Sequence, residues 1–310
     1  MKFLLHILLV ILSITLNAQT SKKIEILNAD NTFANANKHP DYWRLIGNVS
    51  FKHNNAIMNC DSAYHYATDD KMRAFGKIRI NQGDSITLIG KTLTYFGNKD
   101  NADINGNVIL IDKHMTLKTE QILYNLKTNV ASYPAAGTII DNEKTINSQR
   151  GAYYSNIHKF IFKDSVTVIA KDYKIFTDNM NYNSESELSY FFGPSNIVSA
   201  NKNIYCENGW YNTKTDIAQF KENATITTDD YILKGDSLFY DKNKGYGIAM
   251  NNVEVIDTVE NITIFGGFAE YFEKEEFVEI TQIPMLQILF EDDTLFMHAT
   301  KFVSQQKIGN

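Results

Sequence analysis

At 310 residues, with 44% hydrophobic side chains, the chain is too apolar for a disordered tail and long enough for a large buried interior. Its formal net charge of −6 argues against a nucleic-acid binder, whose contact face is ordinarily basic. Seven scattered histidines and two cysteines offer no ligand spacing for a metal, so neither a metal nor a cofactor is expected.

The chain opens with Met1-Lys2, an apolar run from Phe3 to Leu16, and Asn17-Ala18-Gln19. A basic head, an apolar stretch shorter than the roughly 20 residues of a membrane span, and a small residue at a cut site read as a signal peptide over residues 1–18. The expected location is therefore the periplasm. No cysteine follows the run to carry a lipid anchor. Residues 19–310 read as one repeat domain. Ile24-Glu25-Ile26 is a first apolar alternation, followed by a polar stretch to Pro40.

A short phrase then recurs: a polar pair, an apolar residue, any residue, and tyrosine. It stands as Lys91-Thr92-Leu93-Thr94-Tyr95, Glu120-Gln121-Ile122-Leu123-Tyr124, Asp178-Asn179-Met180-Asn181-Tyr182 and Asp236-Ser237-Leu238-Phe239-Tyr240. Looser copies end at Tyr154, Tyr211 and Tyr271, and Asp61-Ser62-Ala63-Tyr64-His65 puts histidine in the tyrosine slot. From His65 to Tyr271 the steps are 30, 29, 30, 28, 29, 29 and 31 residues. A period held over eight copies marks a stacked, quasi-one-dimensional fold.

Within each period an alternating strand, such as Gly47-Asn48-Val49-Ser50-Phe51 or Gly76-Lys77-Ile78-Arg79-Ile80, follows a Gly or Asn. Those residues are read as the turns between strands, where positive φ is needed. A second strand carries the tyrosine phrase. Period-two alternation sends one set of side chains inward and the other to water. The tyrosines are expected half inside and half out, as a ladder of rings. Tyr133-Pro134-Ala135-Ala136-Gly137 is expected to bend the array, and the stretch from Gln282 to Phe302 to cap it. Cys60 and Cys206 lie five repeats apart, roughly 24 Å at one strand spacing per repeat. A disulfide needs Cα atoms within about 7 Å, so two free, buried thiols are expected.

Ile24-Glu25-Ile26 with Ala29-Asp30, then Gly47-Asn48-Val49 and the Asp61-Ser62 phrase, resemble the OstA-like family of lipopolysaccharide-transport proteins. That family takes in the bridge protein LptA, the anchored LptC and the N-terminal domain of LptD. The resemblance implies an all-β, elongated, open and twisted β-jellyroll, here with about eight to nine repeats of antiparallel strands. It also implies a non-enzymatic carrier that holds the acyl chains of lipopolysaccharide in an apolar groove and joins other jellyroll components end to end. The array is about twice as long as a minimal bridge protein, and no barrel segment follows it. Which component it is stays open.

Groove candidates are Val49, Phe51, Ile78, Ile80, Val108, Leu110, Val166, Val168, Ile226, Val253 and Val255; alternation alone does not distinguish a groove from a filled core. Lys71, Arg73, Lys77 and Arg79 form the densest basic cluster and are candidates for headgroup phosphates at the rim, or else a solvated strand face. Residues 19–100 carry 11 basic against 8 acidic side chains, whereas residues 201–310 carry 9 against 18. A basic N-terminal edge meeting an acidic one is the expected polarity of end-to-end pairing. No catalytic motif is present, so no enzyme is expected. Two rivals remain: a parallel β-helix acting as scaffold or adhesin, and a carrier of another amphiphile. Strand direction separates the β-helix from the jellyroll.

Overall fold

The computed structural model describes residues 23–305 apart from 36, 38, 84, 85, 114, 142, 276 and 292. The signal segment lies outside the described residues. From His39–His53 and Ala56–Tyr66 through Lys71–Gln82, Ile86–Phe96, Asn101–Asp112 and Met115–Asn125, each strand pairs antiparallel with the next. The same meander resumes at Lys159–Ile169 and runs to Ile262–Phe272. Between them lie interrupted strands. Val130–Tyr133 and Gly137–Asp141 pair with the two halves of Met115–Asn125. Lys144–Ser148 and Arg150–Tyr154 do the same against Lys159–Ile169.

The break at Pro134 is thus an interruption inside one continuous sheet. The ring of Tyr133 fills it, lying where a Cβ on Gly151 would come within 2.3 Å of its hydroxyl. At the two ends the strands are again split. Glu25–Asn28 and Asn31–Asn35 start the array; Phe277–Thr281, Met285–Leu289, Thr294–His298 and Phe302–Gln305 finish it. All pairings are antiparallel, which removes the β-helix and leaves an elongated β-jellyroll. At about 4.8 Å per strand the array extends on the order of 85 Å.

The glycines that open the alternating strands do not sit between strands as expected. Gly47-Asn48, Gly76-Lys77 and Gly106-Asn107 fall in the middle of long strands, at positive φ, where the pairing register shifts. Asp164-Ser165, Glu222-Asn223 and Asn251-Asn252 repeat the device without glycine. Each is a bulge that bends its strand sharply. The polar pair of the repeated phrase lies against it. The Lys77 ammonium is 3.7 Å from Asp61, Asn223 Nδ2 donates to Glu207 at 2.9 Å, and Asn252 Nδ2 donates to Asp236 at 3.0 Å. At Gly76, with φ +75°, a Cβ would meet the Asp61 carboxylate at 2.4 Å, so glycine answers both the backbone angle and the space. The acid of the phrase is therefore a latch on the neighbouring bulge. The actual turns between strands use Asn54, Asp70, Asp100, Asn129 and Asp216 at positive φ.

Bulges aligned along the array fold the whole sheet lengthwise. A strand of 11 or 12 residues would hold its ends nearly 40 Å apart if flat. Yet Tyr153, at the end of one strand, donates to Asp112, at the opposite end of another, at 2.6 Å. The two long margins of the sheet meet in a seam.

Candidate functional site

All eleven groove candidates face the interior. Nine are buried; Ile226 and Val255 are half-buried. Register explains why they line up. Phe51 pairs with Met58, Met58 with Ile80, Ile80 with Leu88 and Leu88 with Leu110. The row continues strand by strand through Leu117, Ile139, Ile146, Val168, Ile175 and Ile197. It then passes through Ile204, Ile226, Leu233, Val255 and Ile264 to Leu286. Every member is apolar, because each strand keeps its inward parity on both sides of its bulge. The row has two regimes. From Phe51 to Ile197 its side chains are buried, most of them with no accessible surface at all, so the interior there is a packed core. From Ile204 onward Ile204, Ile226, Leu233, Val255 and Ile264 are only partly covered.

The seam has the same two regimes. In the first part polar side chains, several of them buried, clasp one margin to the other. Tyr95 Oη lies 2.5 Å from His53 Nδ1, and Asn54 Nδ2 donates to Asp100 at 2.8 Å. Gln82 Nε2 donates to the Leu126 carbonyl at 2.9 Å and to Asn129 at 2.7 Å. Tyr153 donates to Asp112 at 2.6 Å, and Tyr182 to Asp141 at 2.8 Å. Lys144 Nζ then reaches Thr213 at 2.9 Å and Glu187 at 3.3 Å. The Thr213 hydroxyl, with Lys144, holds the Glu187 carboxyl below the ordinary carboxylate range. Burial pushes the Tyr95, Tyr153 and Tyr182 hydroxyls far up, so they stay protonated at any physiological pH.

Beyond this the seam contacts are loose. The Tyr173 ring meets Tyr211 edge-on at 6.2 Å, and the Lys202 ammonium is 6.0 Å from the Tyr240 ring. Tyr211 and Tyr240 donate to Asp216 and Glu273, on their own margin.

The tyrosine slot needs two corrections. In the fourth copy the inward ring is Tyr153, not Tyr154: Tyr153 pairs with Ala131 and Phe160, in register with Tyr124 and Tyr182. And Tyr95, Tyr124, Tyr153 and Tyr182 are buried rather than half out, whereas Tyr211 and Tyr240 are half-buried as expected. Nor do they form a ladder of rings. Ala102, Ala131, Ser189 and Ala218 alternate with tyrosines along most of the row, while Phe160 stands between Tyr153 and Tyr182 and stacks on both. The closest stack is Tyr153 on Phe160, at 4.3 Å. The seam partners His53, Gln82, Asp112 and Asp141 escaped the sequence reading. Their signal was present: polar residues at an inward position, spaced 29, 30 and 29 apart.

His65, in the same slot, is buried with its Nδ1 unpartnered. Burial lowers its pKa below the ordinary 6.5, partly opposed by the Asp70 charge. The unfolded chain therefore takes up the proton first as pH falls. The stability carried by the neutral ring is complete above about pH 6.5 and is lost as pH drops through the lower, folded-state pKa. Urea unfolding from pH 7.5 to 5 should show that loss, and His65→Phe should flatten it; an unchanged slope in the variant would discard the assignment.

The basic cluster starts at the margin, with Lys71 at the end of its strand and Arg73 two residues in, and runs along the outer face away from it. Arg73, Lys77 and Arg79 are exposed on the outer face of Lys71–Gln82, opposite buried Met72, Ala74, Ile78 and Ile80. Lys71, at the strand's end, is half-buried and packs over the Tyr66 ring at 4.3 Å. Cys60 and Cys206 are free and buried, with burial pushing both thiols up to about 12. Among the described residues no group of three or more His, Cys, Asp or Glu is placed to hold a metal, and no helix is long and apolar enough to cross a membrane.

Fold and site together define an elongated antiparallel jellyroll with a continuous apolar interior, zipped along one part of its seam and slack along the rest. The model of the family described as OstA-like protein matches residues 21–178 and 171–236, more than half of the sequence, and the chain belongs to that family. Among solved structures it is similar to LptH of Pseudomonas aeruginosa, described as the LptA-homologous periplasmic component of the conserved lipopolysaccharide transport device. The identity is 14%, over 44% of this chain and 81% of that one, with a TM-score of 0.22. No curated protein matches the sequence.

Proposed function

We propose that this chain is a non-enzymatic, exported carrier that shields the acyl chains of lipopolysaccharide in the periplasm, on their way to the outer membrane. Membership of the OstA-like family supports the class. The observation that carries the reading is the unbroken apolar row, whose last third, from Ile204 to Leu286, is half-open beside a slack seam. Hydrocarbon taken from a membrane has to be re-covered at about 0.8 kcal/mol per CH₂. A row of partly covered Ile, Leu and Val offers that cover without a deep pocket. The acyl chains lie against Ile226, Leu233 and Val255, and move toward Phe51 only when the clasps part. Lys71, Arg73, Lys77 and Arg79 offer fixed positive charge to phosphates that pass outside the sheet.

Site-specific photo-crosslinking in the periplasm tests this. A benzophenone at Val255 or Ile226 should capture a lipid whose mass identifies it, and one at Phe51 should capture far less. Capture of no lipid at Val255 would end the reading, and capture of a different amphiphile would replace the cargo.

Partners join at the two ends. Asn31–Asn35 is exposed along its length, and Leu295, Phe296 and Met297 stand exposed on the terminal strand Thr294–His298. Unpaired strand edges of this kind take up another strand. The basic N-terminal and acidic C-terminal charge balance orients the joint. End-to-end association should weaken several-fold between 50 and 500 mM salt, conditions that shorten the screening length from about 14 to 4 Å. Salt-independent association would remove the electrostatic element.

A further inference from the structure

The outer face where the seam passes from zipped to slack carries a feature that the apolar interior does not explain. Tyr190 pairs with Trp210, Trp210 with Gln219, and Gln219 with Phe239; Asn181 extends the row on the other side of Tyr190. The row crosses five strands, about 19 Å. Phe192 flanks it, in register with Asn179 and Asn208. These side chains point outward, since Phe191 and Leu238 beside them are buried. Tyr190 and Phe192 are 43% and 41% exposed. The side-chain amides of Asn179, Asn181 and Asn208 make no hydrogen bond to the described chain; no formal charge stands in the Tyr190 row itself, and exposed Lys163 and Lys221 flank it, paired with Asn179 and Asn208.

The geometry points to this strip as a binding site for the saccharide part of a glycolipid, whose acyl chains lie in the slack interior. Flat rings present faces that suit the C–H face of a pyranose. Amide groups between them are donors and acceptors for its hydroxyl rim. Position names the occupant. Tyr190, Trp210 and Phe239 each lie two residues from the end of their strand, about 7 Å from one margin, which Lys144 still clasps at Glu187 and Thr213 and which is slack from Tyr211 to Tyr240. Tyr211 and Tyr240, next in sequence to Trp210 and Phe239, are the inward residues of that margin. An amphiphile with its chains inside emerges over this margin, its two acyl-bearing sugars spanning the gap and the outer saccharide beyond them reaching the strip. The inference rests on the carrier reading for the chains and adds the headgroup's site.

The test uses the mature chain with three probes: intact lipopolysaccharide, its lipid A, and the free oligosaccharide released from it. Trp210→Ala combined with Tyr190→Ala should weaken lipopolysaccharide and oligosaccharide binding about tenfold, the loss of two ring contacts, and leave lipid A binding unchanged. There are two tryptophans, so Trp43→Phe leaves Trp210 as sole indole reporter. Its fluorescence should shift on adding oligosaccharide, a readout that does not depend on the alanine variant folding. Equal losses for lipopolysaccharide and lipid A, or wild-type protein that ignores oligosaccharide at millimolar concentration, would overturn the site. So would a double variant that binds all three probes as before but loses self-association, which would make the strip a protein contact. Lipid A that binds while oligosaccharide does not leaves the carrier standing and removes the strip; the converse removes the carrier and keeps the strip.

Discussion

Tyr153→Phe should cost about 2–3 kcal/mol of unfolding free energy, while Tyr154→Phe, one residue on, should cost less than about 0.5. The two tyrosines are neighbours in sequence and opposites in structure. Tyr153 is buried and gives its hydroxyl to Asp112 at 2.6 Å, across the seam. Phenylalanine in its place keeps the ring contact with Phe160 and strands a buried carboxyl oxygen, whose desolvation is then uncompensated. Tyr154 faces outward, and its hydroxyl has no partner to lose. Equilibrium denaturation of both variants decides the matter. Equal effects would mean that the seam is not held by these clasps. A cycle with Asp112→Asn adds the coupling: the double variant should lose much less than the sum of the singles, as residues in one buried hydrogen bond do.

The second expectation concerns the two regimes of the interior. Leu110→Glu should destabilise by more than about 4 kcal/mol, since it places a carboxylate in a fully packed core with no partner. Val255→Glu puts the same group at a half-covered position of the same cross-strand row, where water reaches it, and should cost only about 1–2 kcal/mol. Its effect should appear in the cargo instead. Lipid co-purified with the exported protein, measured by native mass spectrometry, should fall at least several-fold, while the chain still unfolds cooperatively. If Val255→Glu keeps its full lipid load, acyl chains do not lie in the slack third. If Leu110→Glu is tolerated, the first part of the interior is more open than its burial implies.

Much of this architecture is legible in the residues. The 29-residue period and the inward parity of Val49, Phe51, Ile78, Ile80, Val108 and Leu110 follow from alternation, and each of those side chains is buried. The free thiols at Cys60 and Cys206 follow from their separation. Where the reading went astray, a local rule had two structural solutions. Positive φ suits a turn and a bulge equally, so Gly47, Gly76 and Gly106 read as turns although they bend strands in the middle. At Tyr153-Tyr154 the phrase carries two adjacent rings, and only pairing with Ala131 selects the first. The basic cluster of Lys71, Arg73, Lys77 and Arg79 has the period of an outer face, and that is where three of the four are exposed.

The order of residues by itself determined an array: a period near 29 residues, which side chains share a face, and where a polar pair precedes each tyrosine slot. These are local matters, set by a two-residue alternation and by backbone angles within a few positions. The seam was decided only in three dimensions. It joins His53 to Tyr95, Asp112 to Tyr153 and Asp141 to Tyr182, residues about forty apart that meet because aligned bulges fold the sheet along its length. Whether that seam is zipped or slack depends on partners at both margins together. A period counted along one chain carries no information about what stands across the gap, and so the place where the interior opens had to come from the fold.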